Sequence, residues 1–96
     1  MNKDITTEIL IKSGFKQNPD TTWIYQINGT SNFNVDGFGR KRSIEVEESW
    51  HKCHEVRIYH EDCGLIAQVD IKTINQFNAL MELMDINVKL KEYEYE

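Results

Sequence analysis

Near the start of the chain the apolar residues Ile5, Ile9 and Leu10 recur at roughly helical spacing, which predicts a short helix from Asp4 to Ser13 with Asp4 or Thr6 as its N-cap. Gly14 stops that helix, because glycine can take the left-handed conformation past the last turn, and Phe15 can then fold back toward Leu10. Lys16 to Asp20, with the only proline at Pro19, reads as the loop that leads from helix to sheet.

The period then changes to two. Thr21 to Asn28 alternates Trp23, Tyr25 and Ile27 against Thr22, Ile24 and Gln26, a strand pattern. Asn28 to Asn32 supplies a turn, and Phe33 and Val35 open a second strand that Asp36-Gly37-Phe38-Gly39 interrupts. From Ser43 to Glu48, Ile44 and Val46 alternate with Glu45 and Glu47, so a third strand has one dry and one acidic face. Ser49 to Cys53 connects it to a fourth, His54 to His60, where Val56 and Ile58 share a face and Glu55, Arg57 and Tyr59 the other. Glu61-Asp62-Cys63-Gly64 turns the chain through a hairpin with a bulge into a fifth strand, Leu65 to Ile71.

Thr73 and Gln76 have the spacing of a capping box, and Phe77, Leu80, Met81 and Met84 follow at helical period. The stripe they make should lie across the sheet, since the first helix is too short to cover it alone. Ile86, Val88 and Leu90 alternate as a sixth short strand, and Lys91 to Glu96 is a charged tail expected to fray. The fold class is α+β: an antiparallel sheet of about five to six strands, with a short N-terminal helix and a longer C-terminal helix packed on one face. Residues 1–96 form a single domain, as 96 residues lie far below the length at which cores divide.

Composition narrows the partners. With 40% hydrophobic and 28% charged residues the chain is an ordinary globular sequence and needs no disulfide or metal to hold a core. A net charge of -5 argues against general affinity for phosphate backbones and serves either solubility alone or docking on basic protein surfaces. No apolar run suits a signal peptide or a membrane span, so the expected address is cytoplasmic.

His51, Cys53, His54, His60 and Cys63 are the residue types that bind zinc. The hairpin separates them: extended strand puts the two ends more than roughly 20 Å apart, against metal bonds of ~2 Å. The same separation forbids a Cys53 to Cys63 disulfide. Cys53 and His54 are neighbours in a strand and point to opposite faces, and nothing else assembles a nucleophile, a base and an orienting group. The expectation is a protein that is not an enzyme and carries no metal or cofactor.

Two surfaces stand out. Glu45, Glu47 and Glu48 either simply face water or make an acidic contact surface for a protein partner that handles nucleic acid, with Trp50 in the following connection as a lid on the core or as an exposed anchor. Arg40, Lys41 and Arg42, beside Gly37 and Gly39, form the one basic cluster, read as a turn that could meet RNA or another phosphate.

Ile5-Thr6-Thr7-Glu8-Ile9-Leu10-Ile11-Lys12-Ser13-Gly14-Phe15 resembles the opening of small proteins found in Bacteroidetes and their phages or mobile elements. Ile71-Lys72-Thr73-Ile74-Asn75-Gln76-Phe77-Asn78-Ala79-Leu80, with Ile86, Val88 and Leu90, is similar to their closing helix and strand. The resemblance covers about a third of the chain. It implies a genomic setting in which small acidic proteins often act as non-enzymatic inhibitors of host defence, anti-CRISPR proteins among them.

Overall fold

The computed structural model describes residues 3–31, 40–48, 53–61 and 64–91. Helix α1 (Thr7–Lys12) is capped by Thr6, whose hydroxyl accepts the Ile9 N–H, and its end is a Schellman turn. Phe15 N–H donates to the Leu10 carbonyl and Gly14 N–H to that of Ile11, with Gly14 at φ 105°. The chain then enters β1 (Lys16–Gln17), β2 (Ile24–Ser31), β3 (Arg40–Glu48), β4 (His54–His60) and β5 (Gly64–Ile71), and closes with α2 (Ile74–Leu83). The five strands form one antiparallel sheet in chain order, each bonded to its sequence neighbour.

The α+β architecture stands as the alternation indicates, with both helices serving one face. Tyr25, Ile44, Val46, Val56, Ile58 and Ile71 turn inward and join Ile9, Leu10, Phe15, Phe77 and Met81 in one buried cluster. Phe15 and Phe77 meet edge to face with ring centroids 6.0 Å apart. The α2 capping box is complete: Thr73 Oγ1 accepts the Gln76 N–H at 3.2 Å, and Gln76 Oε1 accepts the Thr73 N–H at 3.1 Å.

Several local expectations are corrected. Lys16–Gln17, read as loop, pairs with Tyr25 and Gln26 as the edge strand β1. Asn28-Gly29-Thr30, read as a turn, continues β2, because Gly29 lets the chain after α2 pass close by. Trp23 precedes β2 and is 53% exposed instead of sharing the inward face of Tyr25. Arg40-Lys41-Arg42 is the start of β3 and not a turn. Ile86, Val88 and Leu90 are buried as their apolar character demands, but they form a strap with a single bridge, Ile86 to Ser31, and no sixth strand. The expected strand at Phe33 and Val35 and the expected tail beyond Lys91 lie outside the described residues.

The pairing of β4 with β5 and the bulge are as expected, while Asp62 and Cys63 of the expected turn lie outside the described residues. Gly64 has φ 78°, and the register slips by one residue between the pairs Ile58 with Ala67 and Tyr59 with Leu65, a bulge. No helix among the described residues is long and apolar enough to cross a membrane.

Candidate functional site: the open face of the sheet

Antiparallel partners point to the same face, so the sheet register places Glu45, Glu47, Glu55, Arg57 and Tyr59 together on the side opposite the helices. Glu45 is directly across from Arg57, and Glu47 from Glu55. Two carboxylates facing each other would repel, and Arg57 resolves this by serving three at once. Its Nε and Nη2 both approach Glu45 Oε2 at 3.1 Å, while Nη1 lies 2.9 Å from Glu55 Oε1 and 3.3 Å from Glu47 Oε2. Tyr59 donates its hydroxyl to the same Glu45 oxygen at 3.2 Å.

The electrostatics follow from this geometry. Burial alone would lower the Arg57 pKa, but hydrogen bonds to Glu55, Glu45 and Glu47 outweigh it and hold the guanidinium more firmly charged than usual. The Tyr59 hydroxyl is pushed up, first by burial and then by the Glu45 charge, so it stays a protonated donor. Against three carboxylates stands one guanidinium, which leaves the cluster two negative charges in excess. All four charged side chains are half-buried or less exposed, at 15–29%.

The other expected members of the acidic surface do not gather here. Glu48 follows Val46 by two residues and therefore faces the helix side, at the sheet's margin, where it accepts a hydrogen bond from the Thr7 hydroxyl and sits opposite His54. The three glutamates expected to act together are thus divided between two faces. Trp50 lies outside the described residues. Alternation along β4 puts Arg57 on the wet face but does not reveal that it organises that face. The spacing Glu55-Val56-Arg57 was a signal for it; the cross-strand register that adds Glu45 and Glu47 was not readable from local pattern.

Alternation also divides the basic cluster. Lys41 is exposed on the open side, whereas Arg42 turns toward the helix side beside Gly29 and His60 and is only 7% exposed. The Arg40 side chain, the third member of the cluster, lies outside the described residues. Among the described residues the one hydrogen bond of the Arg42 guanidinium runs from Nη1 to the Lys41 carbonyl at 3.1 Å. Lys41, Arg42, Ser43 and His60 line an open cavity of about 490 Å³ at this end of the sheet.

His54 and His60 occupy the two ends of β4, and Cys53 is a free thiol just before it. The remaining residues considered as ligands, His51 and Cys63, lie outside the described residues. Burial lowers the His54 pKa, opposed by the charges of Glu48 and Asp4, and its Nδ1 is buried without a hydrogen-bond partner among the described residues.

No family model, no curated protein and no solved structure matches this chain.

Proposed function

We propose that this chain is a non-catalytic binding protein that docks through the open face of its sheet on a basic, nucleic-acid-handling partner and inhibits it. Phage-borne inhibitors of host defence, anti-CRISPR proteins included, are the functional class this describes. One observation carries the reading: the Arg57 cluster presents an excess of two negative charges in a fixed arrangement on the face that the helices leave uncovered. Carboxylates already ordered by a shared guanidinium lose little further freedom on docking, and their field speeds encounter with a cationic surface.

The double variant Glu47→Gln, Glu55→Gln tests this while leaving the Arg57 to Glu45 pair intact. Tagged protein is used to capture partners from lysate of the native host at low and high salt, with proteins identified by mass spectrometry. The expected result is one abundant nucleic-acid-binding protein held by the parent chain, released by salt and not captured by the double variant. Equal capture by both chains would sink the reading.

A second reading, contact with RNA or another phosphate, is favoured by Arg42. The residue is only 7% exposed, borders a cavity shared with Lys41 and His60, and has no carboxylate partner among the described residues. A buried cation without a counter-charge is a place where a phosphate would be held. Salt-sensitive RNA binding lost on Lys41→Ala with Arg42→Gln would support this reading, and RNA binding indifferent to both would end it.

A further inference from the structure

The two margins of the sheet are finished differently. On the β2 side, β1 covers Tyr25 and Gln26, and the strap after α2 covers Thr30 and Ser31. There Asn87 N–H donates to the Thr30 carbonyl at 3.0 Å, Thr30 N–H donates to Asn87 Oδ1 at 2.8 Å, and Ile86 bridges Ser31. On the β5 side no strand lies beyond among the described residues, so alternate N–H and C=O groups of an eight-residue strand face outward. One device that blunts such an edge is present, the bulge at Ile66, which leaves residues 67–71 as the regular ladder, but the charged and proline devices are missing from that stretch before Asp70. β5 has no Lys, Arg or Pro, and its first charge comes only at Asp70. Leu65, Ile66 and Val69 are 48%, 42% and 41% exposed.

Bare backbone donors and acceptors in a row are satisfied by another strand, not by a globular surface. We propose that this strand is β5 of a second copy of the chain, laid antiparallel about a twofold axis so that two sheets become one continuous sheet of ten strands. Two features of β5 favour its own copy. A twofold pairing joins residues of like facing, so in the regular stretch Val69 meets Ala67 or Val69 of the second copy, and Gln68 meets Gln68 or Asp70. Apolar side chains then oppose apolar ones, and an amide opposes an amide or a carboxylate. Charge points the same way. Each copy carries -5, so two copies repel over most approaches, and the uncharged run Gly64 to Val69 is where they can close.

The pairing sets both helix layers on one side and merges the two open faces on the other, doubling the length of the surface that carries the Arg57 clusters. A single strand pair falls short of the ~1,600 Å² of a standard interface, so the dimer forms reversibly and with concentration.

Sedimentation velocity of the full chain, under reducing conditions and from low micromolar to near-millimolar concentration, tests the proposal. The parent chain should shift from monomer to dimer across that range. Val69→Lys and Ile66→Lys, each at an exposed side chain, should stay monomeric with unchanged melting temperatures. Hydrogen exchange supplies an independent reading: outward amides of β5 should become slower to exchange as the parent concentration rises. A parent chain monomeric throughout overturns the proposal and leaves the edge to a strand of another protein. A dimer that survives both lysine substitutions, or β5 amides that exchange alike at every concentration, overturns it by placing the contact elsewhere.

Discussion

Arg57 on β4 stands directly across the sheet from Glu45 on β3, with Nε and Nη2 both 3.1 Å from one carboxylate oxygen. Because the same guanidinium also serves Glu47 and Glu55, removing it leaves three carboxylates within reach of one another. Arg57→Ala is expected to cost about 1–2 kcal/mol at neutral pH, discounted for partial exposure. Salt screens the repulsion among the carboxylates, so the difference from the parent chain should shrink as ionic strength rises. Urea unfolding of both proteins at low and high salt checks this; a loss of equal size at both would mean that Arg57 acts by packing alone.

Gly29 is required by a close approach. A Cβ at that position would come 2.6 Å from Val88 Cγ2, with Asn87 Oδ1 at 3.0 Å. Gly29→Ala should therefore destabilise by about 1–3 kcal/mol through overpacking. Val88→Ala removes the nearest atom, so the double variant should lose less than the sum of the two single losses, and strict additivity in thermal melts would contradict the contact.

Thr73 closes the α2 capping box from one side and Gln76 from the other. Thr73→Ala should cost about 1 kcal/mol, while Thr73→Ser, which keeps the acceptor oxygen, should cost much less. Chemical denaturation distinguishes the pair, and equal losses would show that the methyl group matters and the cap does not.

His54 ties stability to pH. Its folded pKa is lowered from the ordinary 6.5 by burial, which outweighs the opposing charges of Glu48 and Asp4. The unfolded chain then takes up a proton before the folded one does, so stability is full above 6.5 and declines as pH falls through that value toward the folded pKa. His54→Gln should flatten this part of the profile. Melting temperatures between pH 7.5 and 5.5 (about the span in which an ordinary histidine titrates) give the comparison, and parallel profiles would remove His54 as the cause.

Local chemistry was the legible part of this sequence. The Schellman turn at Gly14, the capping box at Thr73 and Gln76, and the bulged β4–β5 pairing each depend on residues a few positions apart, and each is found where the pattern places it. What depends on distant partners was not legible. The two residues of β1 gain their strand character only by lying beside Tyr25 and Gln26. Ile86, Val88 and Leu90 alternate like a strand, yet they pack as a strap because β2 offers them one bridge and a cap from Asn87. The acidic face was legible for Glu45 and Glu47 and misread for Glu48, whose parity with Ile44 and Val46 already assigned it to the other side. The role of Arg57 depends on the register between β3 and β4, which the intervening residues set and local periodicity does not reveal.

Strand order that copies chain order has a consequence for the chain during its own synthesis. Each hairpin of the meander can close as soon as its second strand leaves the ribosome, without waiting for a distant partner. The apolar side of Ile44, Val46, Val56 and Ile58 has a different timetable, since Phe77, Met81 and the strap from Ile86 to Leu90 follow all five strands. Until they follow, α1 and Phe15 alone can cover the inner face, and Thr30 lacks its partner Asn87. The strap acts last, as the latch that turns an assembled sheet into a sealed core.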